Sequence, residues 1–165
     1  MQEETNVMPS VPMLAVKDVE SSARWYQEVL GFRHVFTIPG PGDRSLLARL
    51  RRARYADLLV VVTQKPSFDP KGVGVTLYLV MHLMDWSVDQ LAEHARAKGA
   101  NASGPVNQPW NTRELTVIDP DGYRLTVTQV INAEKGFDNC FRASGRVEGP
   151  VKTAPGRSST ASDLS

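Results

Sequence analysis

Between Val11 and Ile131 apolar residues recur in two rhythms, and the rhythms come in the same order twice. Val11 to Val16 is a short apolar run of strand type, with Pro12 where an edge or first ladder position needs no N–H donor. Val19, Ala23, Tyr26 and Leu30 then step by four, three and four, the stripe of an amphipathic helix that starts at Asp18. Glu20 suits the positive end of that helix, and Gly31 supplies its left-handed stop. Phe32 to Ile38 predicts a strand, closed by Pro39-Gly40-Pro41-Gly42. Ser45–Leu50 and Ala56–Thr63 predict a hairpin around a basic tip, Arg51-Arg52-Ala53-Arg54, and Lys65–Gly74 a loop.

The order then repeats. Val75–Met81 is a strand. Ser87-Val88-Asp89-Gln90 is a capping box, followed by an apolar face of Val88, Leu91, Ala92 and Ala95 and by Gly99 as the stop. Ala100–Val106, Glu114–Ile118 and Tyr123–Gln129 are strands, the last two joined by Asp119-Pro120-Asp121-Gly122, in which proline fixes φ and glycine takes the positive φ of a tight turn. The pattern predicts an α+β domain over residues 9–131, built of two βαβββ modules at about 9–64 and 73–131. Residues 1–8 are expected to be a flexible N-terminus. Residues 132–165, rich in Gly, Ser, Thr, Pro and Arg, have too little apolar surface to offset ordering entropy and are expected to form a largely disordered C-terminal tail.

Composition narrows the function classes. A formal net charge of +1 in 165 residues argues against general attraction to nucleic acid or anionic lipid. The basic hairpin tip lacks interleaved stacking aromatics except Tyr55, which suits a solvated hairpin end better than a nucleic-acid surface. A single cysteine, Cys140, allows no intrachain disulfide. The Met-Gln-Glu-Glu start is acidic where a signal peptide is basic, and no apolar run reaches membrane-spanning length. A cytoplasmic, soluble protein is the expectation.

Two stretches carry a family likeness. Val16-Lys17-Asp18-Val19-Glu20-Ser21-Ser22-Ala23-Arg24-Trp25-Tyr26, closing with Leu30-Gly31-Phe32, resembles the opening of the vicinal-oxygen-chelate superfamily, which covers glyoxalase I, extradiol dioxygenases and bleomycin-resistance proteins. Arg113-Glu114-Leu115-Thr116-Val117-Ile118-Asp119-Pro120-Asp121-Gly122-Tyr123-Arg124-Leu125 resembles its last hairpin. Over about residues 9–130 the resemblance implies a cup-shaped open mixed sheet, usually completed in a homodimer. It also implies, in most enzymes of the superfamily, a divalent metal held by His, Glu or Gln on the first strand of each module and by Glu on the last strand. Here those places fall on Val11, on the segment Val75 to Leu79, and on Thr126, none of which offers imidazole or carboxylate. His82 is a strand-end histidine, or a ligand only in a shifted register; His34 and His94 read as surface residues. No metal or other cofactor is therefore expected.

Strand alternation supplies a lining for the cup. With Leu125 and Val127 toward the helices, Arg124, Thr126 and Thr128 face the cup; with Leu115 and Val117 inward, Glu114, Thr116 and Ile118 lie beside them. The first strand contributes Val11, Met13 and Ala15. Trp110 either stacks on a flat ligand, as the resemblance implies, or covers the sheet edge; Trp25 and Tyr26 are read as core and cover, and Trp86 as part of a staple. The candidate ligand-binding residues are Met13, Trp110, Glu114, Thr116, Arg124, Thr126 and Thr128. The leading expectation is a metal-independent, bleomycin-resistance-like protein that sequesters an aromatic or amphipathic compound as a homodimer. The alternative is a lyase, isomerase or dioxygenase with Zn, Ni, Fe or Mn on unusual ligands, or a metal-free catalyst using Glu114 and Arg124 as acid–base partners. A regulatory protein docking through its tail is the third possibility.

Overall fold

The computed structural model describes residues 10–63, 72–81 and 86–135. In chain order the elements are β1 (Met13–Val16), α1 (Val19–Leu30), β2 (Arg33–Pro39), β3 (Ser45–Ala53), β4 (Ala56–Val62), β5 (Thr76–Val80), α2 (Val88–Ala97), β6 (Asn101–Gln108), β7 (Thr112–Ile118) and β8 (Arg124–Val130). They build two four-stranded mixed sheets, ordered β1-β4-β3-β2 and β5-β8-β7-β6. In each module the first strand pairs parallel with the last, and the other pairings are antiparallel. The expected pair of βαβββ units is thus reproduced strand for strand, although as two sheets.

In each unit the helix joins one edge strand of the sheet to the other, and two hairpins bring the chain back to pair with the first strand. The buried stripe of α1 is Val19, Ala23, Tyr26, Val29 and Leu30, resting with Leu14, Val16, Leu50, Leu58 and Val60 in one core. Asp18 caps α1 by accepting from the Ser21 amide at 2.7 Å, and Gly31 ends it at φ 65°. The capping box of α2 forms as read, with Ser87 and Gln90 satisfying each other's backbone amides.

Several boundaries move. β1 starts at Met13 rather than Val11, because Pro12 has no N–H and takes part only through its carbonyl, which accepts from the Leu59 amide at 3.0 Å. β3 runs on to Ala53, so the basic tip shrinks to Arg54-Tyr55, with the Arg54 guanidinium 5.0 Å from the Tyr55 ring centroid. Arg51 is not a solvated tip residue. It lies half-buried in the ladder opposite Asp57. His94, read as a surface residue, is half-buried. Its ring sits 4.7 Å from that of Trp86, and its Nε2 lies 2.7 Å from the Glu28 carbonyl of α1. His82, Cys140, most of the loop 65–74 and the tail beyond Lys135 lie outside the described residues.

The turn between β7 and β8 does more than reverse the chain. Asp119 Oδ1 accepts from the amides of Asp121 (3.0 Å) and Tyr123 (2.7 Å), while Oδ2 accepts from the buried Tyr26 hydroxyl of α1 at 2.8 Å. Asp121 accepts from the Lys17 amide (3.0 Å) and the Ser22 hydroxyl (3.1 Å). The Tyr123 hydroxyl lies 3.1 Å from both the amide and the carbonyl of Ala15, on the edge of β1 not paired with β4. The Asp-Pro-Asp-Gly-Tyr turn therefore fastens the second module to the first.

Candidate functional site

Each sheet has one face against its helix and one face turned away, here termed the cup face. On the second sheet the register sets Val80, Thr128 and Glu114 in one row across β5, β8 and β7, and Tyr78, Thr126 and Thr116 in the next. Arg124 lies level with Thr76 and Ile118. The predicted lining residues Glu114, Thr116, Arg124, Thr126 and Thr128 thus share this face. Met13 belongs to the first sheet, opposite Leu59 and 57% exposed.

Glu114 is the hub. Its Oε1 accepts from the Trp110 indole N–H at 2.8 Å, from the Thr112 hydroxyl at 2.8 Å and, closely, from the Tyr78 hydroxyl. Tyr78 also bonds Thr128 at 3.1 Å. Trp110 owes its place to the turn between β6 and β7. Asn111 adopts φ 66°, a conformation asparagine tolerates, and its side chain accepts from the Asn132 amide and donates to the Asn132 carbonyl. Gly104 is also required, since a Cβ there would stand 2.7 Å from the Glu114 carbonyl oxygen. Burial raises the proton affinity of Glu114, but the hydrogen bonds from Tyr78, Trp110 and Thr112 prevail and hold its carboxyl below the ordinary glutamate value. Such a group is a charged acceptor at neutral pH and a weak base.

Strand register separates Glu114 from Arg124. They lie on neighbouring strands four residues out of step, about 13 Å apart at 3.3 Å per residue. The two do not form an acid–base pair.

The cup face of the first sheet has different chemistry. Phe36, Ile38 and Met13 are exposed there, and Asp57 is covered by two guanidinium groups. Arg51 grips it through Nε and an Nη (2.7 and 2.8 Å), and Arg49 through Nε at 2.7 Å. A surface cavity of about 400 Å³ lies by the start of α2, where Arg113 is held by Asp89 and Asn107.

Sequence reasoning had placed Glu114 and Trp110 in the site separately but missed Tyr78 and Thr112. Tyr78 was legible in principle: it alternates with Leu77 and Leu79, which pack toward the core, so it must share a face with Thr126.

The glyoxalase/bleomycin resistance protein/dioxygenase superfamily profile matches residues 9–127. The chain belongs to that superfamily. Among solved structures, this superfamily member is similar to TioX from Micromonospora sp. ML1 (24% identity, TM-score 0.56, covering 75% of this chain and 97% of that one). It is also similar to TnmS3, an antibiotic binding protein from Streptomyces sp. CB03234 (24%, 0.52, 75% and 98%). A glyoxalase-related enzyme from Clostridium phytofermentans shares the fold as well (16%, 0.58, 76% and 96%). At these identities the likeness is one of fold. No curated protein matches the chain.

Among the described residues the donor set is unsuitable for the divalent metal of the superfamily's enzymes. Val11 and Thr126 occupy two expected ligand places, the cup-facing positions of β5 are Thr76, Tyr78 and Val80, and no three His, Cys, Asp or Glu come together among the described residues. Glu114 Oε1 is already occupied by three donors. Likewise, no helix among the described residues is long and apolar enough to cross a membrane.

Proposed function

We propose that this superfamily member is a metal-independent small-molecule-binding protein that sequesters an aromatic or amphipathic compound. It works as a cytoplasmic homodimer whose cup faces meet near the subunit interface. The observation that carries the reading is the Glu114 cluster: an indole and a phenol, 36% and 51% exposed, have their polar tips fixed on one carboxylate oxygen. Rings held in this way offer stacking surface without ordering cost on binding. Exposed Met13, Phe36 and Ile38 add apolar area on the other sheet, and half-buried Thr116 adds a hydroxyl. This combination of apolar surface with a few oriented polar groups suits capture of an organic ligand. The likeness to an antibiotic binding protein supports an antibiotic or similar compound as the cargo, and hence a role in antibiotic resistance.

Isothermal titration with a panel of aromatic metabolites and glycopeptides, followed in parallel by tryptophan fluorescence, tests the reading. Micromolar binding by at least one compound, with quenching that disappears in Trp110→Phe, is expected. No binder at high micromolar concentration would overturn sequestration. Stoichiometric Zn, Ni, Fe or Mn in the purified protein would overturn metal independence.

A further inference from the structure

The Glu114 cluster contains more charge than positioning two rings requires. Its three donors, Tyr78, Trp110 and Thr112, are neutral, and all converge on Oε1. Oε2 has no hydrogen-bond partner among the described residues, and no cationic side chain there pairs with Glu114. The nearest cation on the same face by register, Arg124, is about 13 Å away along the strands. Arg113, next to Glu114 in sequence, points to the opposite face and is held by Asp89 and Asn107. If the carboxylate served only to fix the Trp110 and Tyr78 tips, a glutamine oxygen would do so without the cost of desolvating a charge.

From this unbalanced carboxylate between two exposed rings, we propose that Glu114 is a specificity residue for the positive charge of the ligand. Its Oε2 receives a protonated amine or a ring-bound N–H cation, while Trp110 and Tyr78 supply π-faces to the same group. The proposal rests on the reading of the cup as a small-molecule site and adds the charge class of the cargo. Carboxylate and aromatic ring act in the same sense on a cation, the first through a charge-assisted hydrogen bond and the second through the ring quadrupole. A neutral planar compound of the same outline would gain only the stacking. The depressed proton affinity of Glu114 keeps the negative charge in place through the neutral range.

Two probes of equal outline separate these contributions: 9-aminoacridine, cationic at neutral pH, and acridone, neutral. Wild-type protein should bind 9-aminoacridine about ten-fold tighter than acridone, the scale of one hydrogen bond to a charged group. Glu114→Gln keeps an acceptor oxygen for Trp110, Tyr78 and Thr112, so in this variant the ratio of 9-aminoacridine to acridone affinity should fall from about ten-fold to about one. Glu114→Asp retains charge and should keep part of the preference, which separates loss of charge from disturbance of the frame. If wild type binds both probes equally, or if Glu114→Gln keeps the ten-fold preference, the charge proposal falls while the small-molecule reading stands. If wild type binds neither probe, the charge proposal falls, and the broader titration panel alone decides the small-molecule reading.

Discussion

The two halves of this protein share topology, strand order and helix packing, yet their cup faces have opposite polar arrangements. In the first half a carboxylate is enclosed: Asp57, with no exposed side-chain surface, is gripped by Arg49 and Arg51, which are 24% and 16% exposed. In the second half the carboxylate is open: Glu114 is held by neutral groups on one oxygen and lacks a counter-ion among the described residues. An enclosed ion cluster stiffens its sheet and has little to offer a ligand, whereas a half-satisfied carboxylate beside exposed rings does. The two halves thus share a frame while their cup-facing positions differ, because alternate residues of a strand face different surroundings.

The reverse turns of the two halves diverge in the same way. Arg54-Tyr55 between β3 and β4 is an exposed two-residue tip. The turn between β7 and β8 is tied by hydrogen bonds to α1 and β1, of which the Tyr26–Asp119 bond is buried.

The contrast makes three quantitative claims about stability, each measurable by urea denaturation. The largest effect is expected at Asp57. Replacing it by alanine removes the carboxylate shared by two half-buried guanidinium groups and should cost about 3 kcal/mol, the low end of the range for a broken buried pair because the arginines keep some solvent. Its pH dependence has a definite sign. Burial raises the Asp57 carboxyl, but the hydrogen bonds and charges of Arg51 and Arg49 outweigh burial and hold it below the ordinary value of 3.8. A depressed folded-state value contributes stability above the unfolded value and loses it as pH falls through the folded one. Wild-type protein should therefore weaken below about pH 4, and the Asp57→Ala variant should weaken less over the same range. An equally steep acid limb in both proteins would refute this account of the cluster.

Next is the clasp. Tyr26→Phe removes the hydroxyl that bonds buried Asp119, and a hydrogen bond to a charged group of this kind is worth about 2 kcal/mol. Burial raises the Asp119 carboxyl, with the Tyr26 hydrogen bond only partly opposing it, so its titration has the reverse sign to that of Asp57. Stability from this group is greatest at low pH and declines as pH rises through its elevated folded value. A loss under 0.5 kcal/mol, by the same order-of-magnitude reckoning, would mean that the turn does not hold the modules together. The smallest effect belongs to Glu114→Gln, at about 1 kcal/mol or less, since the cluster is half-exposed and glutamine keeps an acceptor. A large loss there would place Glu114 with Asp57 among the structural ion sites and erase the contrast between the halves.

How much was legible beforehand follows from which interactions are local. The helix starts at Asp18 and Ser87, the stop at Gly31, the strand parity around Leu115, Val117, Leu125 and Val127, and the doubled βαβββ order all depend on spacing within a few residues, and all stand in the structure. Parity likewise puts Glu114, Thr116, Arg124, Thr126 and Thr128 on one face from the sequence alone. Parity cannot say which residues on a face lie level with one another. That depends on register between strands distant in sequence, and register brought Tyr78 to Glu114 while setting Arg124 four residues away.

The sequence by itself determined the elements, their duplication and the superfamily likeness, because capping, periodicity and turn chemistry are written in near neighbours. Only the tertiary structure decided that Asp57 is shielded by arginines, that Asp119, Asp121 and Tyr123 reach back about one hundred residues to Tyr26, Ser22 and Ala15, and that one oxygen of Glu114 gathers three donors. The bonds of Asp119, Asp121 and Tyr123 and that of Tyr78 to Glu114 join segments distant in sequence and exist only once the sheets and helices have packed, whereas the contacts of Asp57, Trp110 and Thr112 depend on hairpin register and turn geometry that residue spacing does not specify.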